Sequence, residues 1–148
     1  MTLLALAGAF VLLRSRRWAL FVGWAAAFLG SFVLNNLIKR VIHRPRPAGS
    51  GAWLAGHSWS FPSGHAMNSL VAFGLLAWLL VVFRVRDRAR RVAIVAGCAL
   101  LALLIGMTRL YLGVHYFSDV VAGWATGIVW LSVCVAVLEM TRRLPRPS

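Results

Sequence analysis

Acidic residues are nearly absent from this chain. Asp87, Asp119 and Glu139 are the only three in 148 residues, against fifteen arginines and a single lysine. So few carboxylates cannot assemble a magnesium site built on acids. Cysteine is scarce as well: Cys98 and Cys134 both sit inside apolar runs, without the spacing of a metal or redox motif. They read as small hydrophobes used in packing. Polar stretches are short, with charged residues at 13%, hydrophobic residues at 61% and a mean hydropathy of +0.81. A soluble domain of this size leaves too much of its chain exposed to hide that much apolar surface. The net charge of +13 would suggest nucleic acid in a soluble chain. Here the arginines fall between apolar runs, so they speak of membrane topology, and no nucleic-acid partner is expected.

What the chain does have is long apolar runs. Met1–Leu13 is too short to span a bilayer, which takes about 20 helical residues. Its arginines follow the apolar stretch, whereas a signal peptide carries its charge in front. A short or truncated first helix is expected there. Trp18–Ile42 is long enough to cross, with Gly23, Ala27 and Gly30 at close-packing spacing. A polar loop at 43–61 follows, with RPRP at 44–47 and tryptophans at Trp53 and Trp59 that suit the headgroup level. Pro62-Ser63-Gly64-His65 opens the next run, to Phe83, with Ser63 as a natural N-cap. Val92–Met107 and Tyr116–Leu138 are the remaining crossings, the last with a GxxxG face at Gly123 and Gly127. The expected fold is all-α: a polytopic transmembrane helical bundle of four full spans plus the short N-terminal helix, in one domain over residues 1–148.

Orientation follows from arginine. The segments 14–17, 84–91 and 142–146 share one side and hold eleven arginines, while the other side holds Lys39, Arg40, Arg44, Arg46 and Arg109. The positive-inside bias makes the first side cytoplasmic. The loop at 43–61 and the corner at 108–116 are then extracytoplasmic, in a plasma-membrane protein.

Three polar clusters meet on that outer face. Lys39 with Arg46, Ser63-Gly64-His65, and Arg109 with His115 and Asp119 together suit a phosphate: fixed cations, a hydroxyl and backbone amides at a helix start. Position 39 holds the only lysine, as though a compact ammonium were needed. Arg40 and Arg44 read as snorkelling cations. His115 and Asp119 are four apart, one face of a helix if a helix begins there. Asp119 can then hold the imidazole in the tautomer whose other nitrogen is a nucleophile. His65 is placed as the general acid for the leaving oxygen. Asn35 and Asn68 lie one turn below Lys39 and His65. They serve either interhelical hydrogen bonding or support of the site from behind.

These residues match K-x6-R-P at Lys39 and Arg46-Pro47, P-S-G-H at 62–65, and S-R-x5-H-x3-D at Arg109, His115 and Asp119, with Thr108 in place of the serine. The chain resembles the type 2 phosphatidic acid phosphatase (PAP2) superfamily. The resemblance covers Lys39 to Asp119 and the surrounding helices, though membrane members usually have six. It implies a metal-independent lipid phosphatase or diphosphatase with no cofactor. His115 attacks phosphorus to give a phosphohistidine, His65 protonates the departing oxygen and then activates water, and Lys39, Arg46, Ser63, Gly64 and Arg109 hold the phosphoryl oxygens. Phosphatidic acid, undecaprenyl diphosphate and phosphatidylglycerol phosphate are all candidate substrates.

Other readings compete. A zinc site from His57, His65, His115 and Asp119 is chemically conceivable, but the nearby cations repel a metal. A transporter or flippase for anionic lipid would place ionisable groups near the bilayer midplane, whereas here they lie near helix ends. Vanadate-dependent haloperoxidase chemistry would use the same residues on soluble substrates. His43 and His57 read as loop histidines, and the GxxxG face leaves oligomeric state open.

Overall fold

The computed structural model describes Arg14, residues 18–48 and residues 58–143. The expected N-terminal helix over Met1–Leu13, Trp53, His57 and the tail from residue 144 onward lie outside the described residues. Among those described, the chain forms four α-helices: α1 (Trp18–Ile42), α2 (Gly64–Phe83), α3 (Arg88–Tyr111) and α4 (Phe117–Arg143). All four are long and apolar enough to cross a membrane.

The first span has the bounds expected of it; the others shift for local reasons. Ser63 caps α2, which therefore begins at Gly64 rather than Pro62. At the start of α3, Asp87 accepts from the Arg90 amide at 2.8 Å, so helix replaces much of the basic loop. At its end the helix runs through Thr108 and Arg109, which narrows the corner to 112–116. There the Leu112 and Gly113 amides turn back to the carbonyls of Thr108 and Leu110 at 3.0 and 2.9 Å, and Gly113 adopts φ 65°. The last helix outruns Leu138 to Arg143, its final turn laced by Glu139 to Arg142 and Arg143.

Helix α2 is the centre of the bundle and touches the other three. Ala66, Met67, Val71, Ala72 and Leu75 on it are completely buried. In a bilayer, helices gain little from hydrophobic burial against one another, so close packing and interhelical hydrogen bonds hold them. Gly123 is such a contact: a Cβ there would lie 2.6 Å from the Ser63 carbonyl oxygen. The GxxxG face therefore packs inside the chain, bringing the start of α4 against the start of α2. On the other flank the Trp130 indole donates to the Ala27 carbonyl at 2.8 Å, tying α4 to α1. Val22 and Leu29 on α1, Leu100 and Leu104 on α3 and Val129 and Met140 on α4 face outward, as lipid-facing residues do. The up-and-down order gathers the end of α1, the start of α2, the end of α3 and the start of α4 at one end. Arg84–Arg91 and Arg142–Arg143 lie at the opposite one.

Candidate active site

A cavity of about 510 Å³ opens at the first end. Asn35, Asn36 and Lys39 line it from α1, Arg46 and Ser58 from the loop, Gly64, His65 and Asn68 from α2, Arg109 from α3, and His115 from the corner. Residues from all three polar clusters thus reach one space. Phe32, Leu112 and Val114 complete its wall with apolar surface.

His115 is the best-anchored side chain of this group. Because α4 begins at Phe117, His115 lies just before the helix, not on a helical face as the four-residue spacing suggested. The contact forms regardless, since the Asp119 carboxylate turns back toward the corner. Its Oδ2 accepts from the Tyr116 amide at 3.0 Å and lies 3.4 Å from His115 Nδ1. On the other side of the ring, Arg46 Nη1 stands 3.3 Å from Nε2. A guanidinium can only donate, so Nε2 must carry a lone pair and Nδ1 the proton. Burial, reinforced by the neighbouring Arg46 charge, pushes the His115 pKa from 6.5 down to about 4, with the Asp119 hydrogen bond opposing. The ring is neutral at physiological pH, with a free nitrogen facing the cavity side.

The cations are held in fixed poses. Arg46 also donates from Nη1 to the Val114 carbonyl at 2.8 Å, from Nε to the Ser58 carbonyl at 2.9 Å and from Nη2 to the Ser58 hydroxyl at 2.8 Å. Lys39 Nζ donates to the Trp59 carbonyl. Arg109 rests on Thr108, its Nε and Nη2 donating to the threonine Oγ1 at 3.2 and 3.1 Å while that hydroxyl donates to Ile105 at 2.7 Å. The hydroxyl that replaces the expected serine thus steers the arginine beside it.

Two expected site residues stand behind the wall rather than in it. Ser63 is completely buried, its hydroxyl accepting from the Ala66 amide and its own amide donating to the Asp119 carbonyl at 2.9 Å. Asp119 is completely buried too. Gly64 lines the cavity, and a Cβ there would come within 3.0 Å of Asn35 Oδ1, so the two positions are fitted to each other. Asn35 donates to Met67 Sδ at 3.7 Å, an interhelical contact. Asn68 Oδ1 is buried with no hydrogen-bond partner among the described residues.

The main residue missed by reading the sequence is Arg44. It is not a snorkelling cation: Nη1 lies 2.8 Å from Asp119 Oδ1 and 2.7 Å from the Ser118 hydroxyl, and the guanidinium stacks 4.1 Å from the Tyr116 ring. A signal was available. Asp119 is the only acid on its side, and a buried carboxylate needs a partner. Pro45 and Pro47 restrict the backbone of the residues before them, Arg44 and Arg46. Ser60 was missed as well. It is buried, and its hydroxyl bonds the carbonyls of Arg44 and Pro45 at 3.2 and 2.9 Å, fixing the loop that carries both arginines. Arg40 is exposed, and His43 stacks edge-on against Trp59 at 4.8 Å, away from the cavity wall.

Comparison with known proteins bears on this arrangement. The PAP2 superfamily pattern matches residues 18–143. A lipid A 1-phosphatase of Rhizobium johnstonii is 40% identical over 139 residues, covering 84% of this chain and 52% of that protein. Phosphatidylglycerophosphatase B of Bacillus subtilis is 36% identical over 99 residues, covering 66% of this chain and 47% of the relative. Human dolichyldiphosphatase 1 is 30% identical over 128 residues, covering 76% and 53%. The chain spans about half the length of these relatives. Among solved structures, a transmembrane PAP2-type phosphatidylglycerolphosphate phosphatase from Bacillus subtilis superimposes with a TM-score of 0.84 at 27% identity, covering 97% of this chain and 71% of that one.

Proposed function

The chain belongs to the PAP2 superfamily, and from that premise we propose that it is an integral membrane phosphatase that removes phosphate from a lipid through a phosphohistidine at His115. The observation that carries the reading is the convergence of Lys39, Arg46, Arg109, His65 and His115 on one cavity, with His115 Nε2 left unprotonated by its contacts.

The chemistry follows from those positions. A phosphoryl group enters among Lys39, Arg46 and Arg109, drawing Arg46 off Nε2 and onto a phosphoryl oxygen. The first amides of α2, at Gly64 and His65, have no carbonyl four residues back to receive them and can bond a second oxygen. Nε2 then attacks phosphorus in line with the lipid oxygen. A nitrogen–phosphorus bond forms, the phosphorus–oxygen bond breaks, and protonated His65 gives its proton to the departing oxygen. Positive charge on the phosphorylated ring is met by Asp119 at Nδ1. In the second half, water attacks phosphorus, neutral His65 takes its proton, and the nitrogen–phosphorus bond breaks to release inorganic phosphate. The three cations hold the charge that spreads over the equatorial oxygens in each transition state. Among the described residues no three His, Cys, Asp or Glu side chains gather as a metal-binding group. In this proposal the cations take the part that a metal plays in other phosphatases.

Substrate class and sidedness belong to the same proposal. The lipids are of the phosphatidic acid, phosphatidylglycerol phosphate, lipid A phosphate or polyprenyl diphosphate type, each presenting a phosphate beside apolar chains. The apolar part of the cavity wall and the lipid-facing helix surfaces support that choice. Concentration of arginine at the opposite end supports an extracytoplasmic site in the plasma membrane. Phosphate release from a panel of these lipids in detergent with EDTA tests the reading. Release from at least one, lost in His115→Ala, is expected. Release that EDTA abolishes, or that His115→Ala retains, would overturn it.

A further inference from the structure

Asp119 is the group whose environment asks most of the rest of the chain. It is completely buried, yet its position beside His115 is useful only while it is a carboxylate. A protonated Asp119 could donate to Nδ1, and the tautomer would reverse, with the proton moving to the nitrogen that must attack phosphorus. A buried carboxylate is unfavourable unless a countercharge and hydrogen bonds satisfy it. The backbone amide of Tyr116 supplies one hydrogen bond to Oδ2. The other oxygen, Oδ1, accepts from Arg44 at 2.8 Å.

We infer that Arg44 is a positioning residue: it holds Oδ1 of Asp119, turns Oδ2 toward His115, and through that carboxylate orients the nucleophile. Its own pose is fixed three ways. Pro45 restricts the backbone, the Ser118 hydroxyl receives the same Nη1 at 2.7 Å, and Tyr116 lies under the guanidinium at 4.1 Å. Two of those anchors, Tyr116 and Ser118, flank the corner that carries His115, so the arginine clamps the corner as well as the acid. Two arginines two residues apart thus divide the labour. Arg46 faces the free nitrogen of the ring and the cavity, while Arg44 faces the acid behind the ring. The inference rests on the phosphatase reading for its catalytic meaning, but not for its electrostatics.

The charged groups around the pair define what a titration would see. Arg46 from the loop and Lys39 from α1 act on His115 beside Asp119, and His65 from α2 and Arg109 from α3 line the same cavity. Removing the Arg44 charge leaves Asp119 less compensated. An Asp119 carboxylate without that countercharge holds a proton on His115 more firmly. The neutral, attacking form of His115 then becomes harder to reach as pH falls.

The test is a ring-nitrogen titration of His115 in detergent by 15N-histidine NMR, assigned with His115→Ala, run beside phosphate release. In Arg44→Gln the midpoint should rise by about one unit or more, with kcat falling about tenfold or more and KM changed little. Arg44→Lys should recover much of the midpoint. An unshifted midpoint in Arg44→Gln, with activity lost only as folded protein is lost, would overturn the inference. Should Arg44→Gln fail to fold, Asp119→Asn and the double variant Asp119→Asn with Arg44→Gln leave no unpaired carboxylate at this point. Equal midpoints in those two are expected, and unequal ones would show Arg44 acting directly on the ring, against the inference. If the wild type releases phosphate from no lipid, the phosphatase reading fails while the titration still decides the role of Arg44.

Discussion

The two ends of this bundle put the same ion-pair chemistry to different uses. At the arginine-rich end, Glu139 pairs with Arg142 and Arg143 on an open surface. At the other end Asp119 pairs with Arg44 and His115, completely buried. An exposed pair gains little because water and salt screen it, whereas a buried carboxylate that loses its partner is strongly unfavourable. Glu139 tidies the last turn of a helix. Asp119 connects the loop, the corner and the nucleophile, and the Lys39, Arg46 and Arg109 cations around it have no second acid to neutralise them. That surplus of positive charge in a recess is what an anion would fill.

Substitutions can break this contrast, and the largest effect is expected at the nucleophile. His115→Ala should lower phosphate release by about 10⁴-fold or more, as loss of a nucleophilic residue does elsewhere, with helical content by circular dichroism unchanged. Asp119→Asn should cost about 10²- to 10⁴-fold in kcat by releasing the tautomer. Next is pH. With His115 depressed to about 4, the acid limb of kcat/KM assigned to it should lie well below the usual histidine value. Arg46→Gln removes a cation that disfavours the protonated ring, so that limb should move upward. Stability shares the sign. The unfolded chain binds the His115 proton near 6.5 and the folded chain only near 4, so this contribution is complete above about 6.5 and is lost as pH falls toward 4. Thermal unfolding in detergent across that window checks it.

Smaller effects fall at the edges of the site. Thr108→Val removes the hydroxyl on which Arg109 rests and should raise KM about tenfold, while Thr108→Ser should leave steady-state rates within about twofold of wild type. Glu139→Gln, at the exposed pair, should change neither activity nor unfolding temperature. An effect there as large as at Asp119 would erase the distinction between the two ends.

Much of this arrangement is legible in the amino-acid sequence. Apolar runs between clustered arginines predict the spans, and α1 has the limits that hydropathy suggests. The three motifs predict which side chains share a cavity, and Lys39, Arg46, Gly64, His65, Arg109 and His115 do line one. What is not legible depends on contacts across the fold. Arg44 and Asp119 are 75 residues apart, and their pairing exists only because α4 packs against the start of α2 through Gly123. Ser63 is polar and near a helix start, as a ligand would be, but its side chain is buried at the cap and does not line the cavity. The corner looked longer because Thr108 and Arg109 are polar. Helical hydrogen bonding nonetheless extends through both, since their side chains emerge at the cavity end of α3.

The most direct test of the account is whether phosphate becomes bonded to His115 during turnover. A 32P-labelled lipid substrate, mixed rapidly with wild-type protein and quenched in alkali, should leave label on the peptide containing His115, stable to base and lost in acid. His115→Ala should carry none. Turnover by the wild type with no label at His115, or with label on another residue, would contradict it.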